Sequence, residues 1–138
     1  TQLPARAFSG CSALASVSLP DSLTEIGTAA FSGCSALTGI RIPAAITEII
    51  NHTFSGCTSL ATLEIPDSVT KIGDYAFFGC TSLTSIAIPD SVTAIGNGAF
   101  SNCTALTLTV TPDSYAAEYA KANNIPYTYP DANDWLNN

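Results

Sequence analysis

The chain has 138 residues, 46% of them hydrophobic and 11% charged, which is sufficient for one buried core. Its net charge of −7, with only four scattered Lys and Arg residues, argues against binding to nucleic acid or anionic membranes, because both need clustered cations. No continuous apolar stretch approaches the about 20 residues of a membrane span, and no basic segment precedes an apolar run, so we predict neither membrane insertion nor a signal peptide in this fragment.

The first predicted element is a bend that recurs along the chain, and we call each copy of it a corner. The octapeptide AFSGCSAL occupies residues 7–14 and again 30–37, and near copies follow. Its Phe, its Cys and its final Leu each return at the interval that separates the two copies, and its SG pair is the expected bend. A fixed period of this length indicates a solenoid, in which stacked coils share one continuous core. The predicted structural core columns are Phe8, Cys11, Phe31, Cys34, Phe54, Cys57, Phe77, Cys80, Phe100 and Cys103.

Each corner leads into a short strand. In LTSIAI, Ile86 and Ile88 alternate with Ser85 and Ala87, which is typical of a strand with one buried face. The Pro that follows ends the strand, because Pro has no N–H for the neighbouring rung. Strands at the same place in successive coils are therefore expected to pair in parallel, as a ladder along one face.

The opposite wall of each coil follows a turn of the type PDS. In the next segment, VTAIG, Val92 and Ile95 lie three residues apart, so we predict one tight helical turn. Gly27, Gly73 and Gly96 end this segment in three of the repeats, and we expect them to adopt positive φ at a bend.

The second repeat departs from this pattern. It reads AAITEIINHTF, so that Ile50 replaces the Gly and Thr53 replaces the Ala. The bend there must be made differently. We predict a local irregularity on the convex side rather than a lost coil.

The unit LTSIAIPDSVTAIGNGAFSNCTA resembles a leucine-rich repeat, whose LxxLxL strand is matched at Leu83, Ile86 and Ile88. Its length, the Ile-Pro after the strand and VTxIGxxAFxxC are similar to the BspA-like subclass. The resemblance implies an α/β repeat solenoid in residues 1–106, a right-handed arc of about five coils with the first incomplete. The strand ladder would lie on the concave face, and short helical turns or irregular segments on the convex face. It also implies a secreted or surface-exposed bacterial or protist protein associated with adhesion and host interaction.

Residues 107–129 resemble that family's usual C-terminal cap, which consists of a strand, an amphipathic helix and a short final strand. Asp113 or Ser114 is placed to cap the start of the helix. We expect Tyr115, Tyr119 and Ala122 to cover the core of the last coil.

Both ends of the chain carry open expectations. Residues 1–13 match only the later part of the unit, so the first coil lacks its strand and nothing before it covers the core. We expect the native chain to continue N-terminally, or this fragment to self-associate through the uncapped end. The tail, residues 130–138, is polar apart from Trp135 and Leu136. Trp135 either folds back onto the cap or begins a linker.

The five cysteines invite disulfide and metal hypotheses, and geometry argues against both. Equivalent positions on adjacent coils lie about 4.8 Å apart with parallel Cβ vectors, whereas a disulfide needs converging Cβ atoms about 3.8 Å apart. A metal needs its ligands around one point, not in a row. We predict buried free thiols that act as small hydrophobes, with no metal and no cofactor.

Other chemistry-bearing residues give weak signals. His52 is the only histidine, and nothing in the sequence places a nucleophile and an acid beside it, so we predict a surface residue and no enzyme activity. Asp21, Asp67 and Asp90 recur after the strand-ending Pro and could form a row for Ca²⁺. Ordinary turn chemistry is the stronger interpretation of that row.

The remaining candidate surface is the outward side of the strand ladder, since solenoids usually bind partners on a concave face. Its residues are small and lack an aromatic anchor, and Arg41 and Glu64 on neighbouring rungs are placed to pair. The predicted ligand-binding residues are Ser16, Ser18, Gly39, Arg41, Thr62, Glu64, Ser85 and Ala87. Our hypothesis is a non-catalytic recognition or adhesion module for a protein or glycan ligand. The alternative is a structural spacer segment of a larger surface protein.

Overall fold

A computed structural model describes residues 2–129, and it shows stacked coils with two walls of short parallel strands. The alternatives for Trp135 lie outside the described residues. In chain order the elements are β1 (Gln2–Leu3), β2 (Glu25–Ile26), β3 (Gly39–Arg41), β4 (Glu48–Ile49), β5 (Thr62–Glu64), β6 (Lys71–Ile72), β7 (Ser85–Ala87), β8 (Ala94–Ile95), β9 (Thr107–Thr109), α1 (Tyr115–Ala122) and β10 (Tyr127–Thr128). No helix among these residues is long and apolar enough to cross a bilayer.

The first wall is a parallel ladder of five strands in the order β10-β9-β7-β5-β3. The middle residue of β3, β5, β7 and β9 is buried, and the residues on either side of it point outward. Ser85 pairs with Thr62 on one side and with Thr107 on the other. The interval from Ser85 to Thr107 is one residue shorter than the interval from Thr62 to Ser85, so the repeat period shortens where the cap begins.

The first coil does not contribute a strand to this ladder. Ser16 and Ser18, predicted as its first rung, are exposed and lie in a segment without assigned secondary structure. Among the described residues, only the following coil lies beside this segment. A hydrogen bond of 3.3 Å from Thr38 N–H to the carbonyl of Ala15 joins the two. The prediction of a Ser16–Ser18 rung was therefore wrong.

The second wall also consists of strands, so the predicted helical turn was wrong. β8 occupies the position where Val92 and Ile95 suggested a helix, and β4, β6 and β8 form a parallel sheet. Thr93 N–H donates to the carbonyl of Thr70 in the preceding coil at 2.9 Å. Hydrogen bonds between coils thus replace those that a helical turn would make within one coil.

The glycines of this wall do not adopt positive φ; close packing is the reason for them. A Cβ atom on Gly73 would lie 2.5 Å from Asn51 Oδ1 and 2.7 Å from Asn51 N, in the preceding coil. Left-handed residues lie elsewhere, mainly in two columns. One column, with φ between 56° and 65°, consists of Arg6, Ala29, His52, Tyr75 and Gly98, and the SG bend that the octapeptide suggested forms the other. Gly10, Gly33, Gly56 and Gly79 have φ between 74° and 76°, and Asn102 takes the same place in the last coil with φ of 63°.

The second repeat is irregular on the convex side, as predicted. Gly73 and Gly96 donate backbone hydrogen bonds to Ile49 and Ile72, at 2.6 and 2.8 Å, and Ile50 occupies their place in the second repeat. The strand wall is interrupted there, because β2 pairs only with β1 and β4 only with β6. The coil itself stays stacked through a bond of 3.0 Å from Ala29 N–H to the carbonyl of Asn51.

The cap helix turns only part of the expected face to the core: Tyr119 packs against it, as predicted. Ala116, Ala117 and Ala120 are buried, whereas Tyr115 is 43% exposed and Ala122 is exposed. Small side chains allow the helix backbone to lie close to the last coil. Of the two candidate caps Ser114 is used, since its Oγ accepts a hydrogen bond of 3.1 Å from Ala117 N–H.

The two tyrosines of α1 have a polar role at the end of the second wall. Ile95 N–H donates to the hydroxyl oxygen of Tyr115 at 3.3 Å, and the hydroxyl of Tyr119 donates to the carbonyl of Gly96 at 3.0 Å. These hydroxyls take the place of the backbone groups that another coil would supply. The cap therefore satisfies edge hydrogen bonds as well as covering apolar surface.

Replacing Gly73 with Ala tests the packing role of the wall glycines. We expect a loss of about 2 kcal/mol or more in the free energy of unfolding, because the new Cβ meets the backbone of Ile50 and Asn51 as well as the Asn51 side chain, and the backbone cannot move aside without shifting the coil. Gly39→Ala is the matched control: its nearest neighbouring atoms are 3.8 and 3.9 Å away, so its effect should stay within about 0.5 kcal/mol. Urea unfolding measures both, and equal effects would contradict the explanation.

Candidate functional site

The core columns form two continuous stacks along the solenoid. Neighbouring Phe rings lie 5.3 to 5.6 Å apart between centroids, with interplanar angles of 2° to 11°. Phe31, Phe54 and Phe77 are fully buried, whereas Phe8 at the N-terminal end is partly buried. Because each inner ring packs on the rings before and after it, the stack fixes the spacing and orientation of the coils.

The five cysteines are free thiols, as predicted, but only Cys34, Cys57 and Cys80 are buried, whereas Cys11 and Cys103 at the two ends are partly buried. The thiols also do more than fill space. Each Sγ from the second coil onward donates to the carbonyl of a Phe in the preceding coil, at 3.0 to 3.2 Å. Burial, together with the neighbouring thiol of Cys34, raises the pKa of Cys57 to about 12. Burial likewise raises the pKa of Cys34. These two thiols are therefore protonated donors rather than nucleophiles at neutral pH.

Most of the predicted ligand-binding residues do come together on the ladder. We define the ladder face as the outward-pointing residues of β3, β5, β7 and β9: Gly39, Arg41, Thr62, Glu64, Ser85, Ala87, Thr107 and Thr109. A shallow depression of about 600 Å³ runs across these rungs, and all of these residues except Thr107 line it. Ser16 and Ser18 do not line it.

The expected ion pair on the ladder face is formed with a different partner. The guanidinium of Arg41 donates to Asp21 Oδ1 at 2.8 Å, rather than to Glu64. The hydrogen bond to Asp21 raises the pKa of Arg41, and the charge of Glu64 adds a smaller effect. The side chains of Arg41 and Asp21 are 74% and 81% exposed, so the pair contributes little to stability. Glu64 keeps its carboxylate available to the depression.

The Asp row behaves as turn chemistry. Val69 and Val92 N–H groups donate to the carbonyls of Pro66 and Pro89 at 3.1 Å, which closes the turns that contain Asp67 and Asp90. Within residues 2–129, no group of His, Cys, Asp and Glu side chains is arranged to hold a metal ion. The row therefore gives no support to a Ca²⁺ site.

The sequence analysis missed an aromatic cluster around the single histidine. His52 is exposed and stacks on Tyr75, with ring centroids 5.3 Å apart, and Phe78 meets Tyr75 edge-on at 5.7 Å. Tyr75 also lies against Gly98, where a Cβ would clash with its ring. The available signal was the break in the columns, since Phe78 stands where the other coils have Ser.

Comparison with known proteins agrees with this geometry. The family model for BspA-type leucine-rich repeat regions matches residues 1–121 in six copies. The chain belongs to this family. Its match continues past residue 106, so the sixth copy extends into the segment interpreted from the sequence as a cap. No curated protein sequence matches the chain.

Solved structures of bacterial leucine-rich repeat proteins resemble this chain. The T. pallidum leucine-rich repeat protein (TpLRR) is 41% identical, with a TM-score of 0.77 over 79% of this chain and 51% of its own. A leucine-rich cell surface protein from Faecalibacterium prausnitzii is 41% identical, with a TM-score of 0.76 over 98% of this chain and 31% of its own. The pneumococcal vaccine antigen PcpA, at 20% identity over 95% of this chain and 39% of its own, shares the fold, with a TM-score of 0.73. This chain thus spans about half or less of each of these proteins.

The raised pKa of Cys57 predicts a pH-dependent stability. A thiol whose pKa is raised in the folded state contributes stability below its unfolded pKa of 9.0, and loses that contribution as pH rises toward the folded value of about 12. The stability difference between the wild type and Cys57→Ala should therefore shrink by about 1 kcal/mol for each pH unit above 9. Urea unfolding of both proteins between pH 8 and pH 11 measures it. A difference independent of pH would contradict the assignment.

Proposed function

We propose that this chain is a non-catalytic recognition or adhesion module of a bacterial surface protein, and that it binds a protein or glycan through the ladder face. The observation that carries the proposal is the depression of about 600 Å³ across four successive rungs. The description of one relative as a leucine-rich cell surface protein supports the extracellular location.

The composition of the ladder face supports a ligand that makes polar contacts. Thr62, Ser85 and Thr109 present hydroxyl groups, and Glu64 presents a carboxylate, on a floor of buried Leu63 and Ile86. The outward residues differ from rung to rung, whereas the buried residues between them are all Ile or Leu. Packing thus constrains the buried positions and leaves the outward ones free to match a ligand.

Introducing one bulky, charged side chain into the depression tests whether the ladder face binds the ligand. Ser85 is exposed at its centre, so Ser85→Arg should weaken binding at least tenfold without loss of stability. Thr81→Arg is the matched control, because Thr81 is also exposed but lies on the turn before the strand and outside the depression. A glycan and extracellular-matrix protein array, followed by binding titration of any hit, provides the measurement.

Two results would count against the ladder face. Equal affinities of the wild type and Ser85→Arg for a hit would place the contact elsewhere. An array without any hit would favour the alternative proposal, a structural spacer that has no ligand of its own. The spacer is supported by length, since this chain spans only 51% and 31% of the two 41% identical proteins.

Self-association through the N-terminal end is a further part of the proposal. Leu3, Phe8, Cys11 and Leu14 pack on the core but remain partly exposed there. We expect sedimentation velocity to show a rise in mean mass with concentration, because association would cover this apolar surface. Leu14→Lys should abolish the rise. A chain that remains monomeric at high concentration would contradict self-association.

A further inference from the structure

The last coil and the cap enclose a pocket that lies apart from the ladder face. Its volume is about 340 Å³, and it lies between the last corner, residues 98–104, and residues 123–126 after α1. Phe100, Tyr119 and Ile125 contribute apolar surface. None of its described lining residues is acidic, although the chain carries eleven Asp and Glu residues.

The corner hydrogen bonds of the solenoid all run in one direction, from N–H groups of one coil to carbonyl oxygens of the next. The donors of the fourth coil are Tyr75, Phe77 and Gly79, and their acceptors in the fifth are Asn97, Ala99 and Ser101, with N···O distances of 3.0, 2.8 and 2.8 Å. The three earlier junctions repeat this set at equivalent positions. Each corner therefore presents a row of N–H groups toward the C-terminal end.

In the fifth coil this row faces the pocket. The equivalent donors are the N–H groups of Gly98, Phe100 and Asn102, and all three residues line the pocket. Within residues 2–129 these N–H groups have no hydrogen-bond acceptor. The cap satisfies the second wall through its tyrosines and the ladder through β10, but it leaves this third side of the coil open.

The local conformation suits a negatively charged acceptor. Gly98 and Asn102 have φ of 65° and 63°, and left-handed residues between right-handed ones turn neighbouring N–H groups toward an anion. The aligned peptide groups of the stacked corners add partial positive charge at this end, as in a helix. A charged oxygen accepts stronger hydrogen bonds from such donors than a neutral one does.

We propose that this pocket binds the C-terminal carboxylate of a peptide, whose oxygens take the place of the carbonyl oxygens of a further corner. Backbone N–H groups in such conformations are an established means of holding a peptide C terminus, and the apolar side chains of Phe100 and Ile125 provide a surface for its last residue. This proposal does not depend on a ligand at the ladder face.

The test is a titration of the ¹⁵N-labelled full chain with N-acetyl-trialanine at constant ionic strength. The amide resonances of Gly98, Phe100 and Asn102 should shift and saturate with the free acid, and should not move with the C-terminal amide of the same peptide. Unmoved resonances, or equal shifts with both peptides, would overturn the proposal. Inorganic phosphate is titrated in parallel, and shifts with phosphate but not with the acid would show that the ligand class is wrong.

Two substitutions of Asn102 distinguish the contribution of its backbone N–H to binding from the effect of its side chain. Asn102→Gly restores the residue that four other coils have in this bend, so it keeps the conformation and the donor and should retain binding. Asn102→Asp places a like charge at the pocket and should weaken binding at least tenfold. Ser101→Asp, at an exposed lining residue, replaces it if Asn102→Asp does not fold. Unchanged affinity in the aspartate variant would contradict a carboxylate site.

Discussion

The structure depends on hydrogen bonds between corners that recur once in every repeat. Phe8 N–H reaches the carbonyl of Ala30 at 2.8 Å, and the same bond recurs at three further junctions. A coil can make it only if the next coil has the same length, because one extra residue would move every later side chain out of its column. The Phe stack and the thiol bonds to Phe carbonyls need the same register. Backbone pairing and core packing thus select a single period.

Because the corner hydrogen bonds all run in one direction, the stack of corners has two different ends. Carbonyl oxygens that would accept a corner bond face outward in the first coil, and N–H groups face outward in the last. A closed barrel has no such pair of ends, because its first and last strands pair with each other. Caps of repeat proteins therefore have a polar as well as an apolar task. Here Tyr115 and Tyr119 perform it on one wall by hydroxyl bonds to backbone.

The sequence predicted the structure correctly where only one physical reason can account for a residue type that recurs in every coil, and it was ambiguous where two reasons can. Phe and Cys columns indicate burial, and the structure buries them in the inner coils. Gly73 and its equivalents show only that a Cβ is excluded; whether the residue's own φ or the neighbouring coil excludes it depends on three-dimensional packing. Val92 and Ile95 are both buried without a helical turn, because Val92 closes the turn after Pro89 and only Ile95 lies in β8; inter-coil bonds, which the spacing does not reveal, decide this. The partner of Arg41 likewise depended on side-chain geometry, so Asp21 could not be chosen over Glu64.

Core packing does not explain the residues that differ from those at equivalent positions in the other coils. A column filled by Ser in four coils and by Phe78 in another is free of the core constraint, so its aromatic residue has a local cause. That cause is visible in part: Tyr75 lies between His52 and Gly98, and Phe78 supports it from the edge. Ile50 shows the opposite case, in which a departure from the repeat interrupts the wall itself. Departures on the surface can be kept without loss of register, whereas departures at coil contacts change the scaffold. Ligand specificity in this solenoid is therefore expected at exposed, non-repeating positions and at its ends.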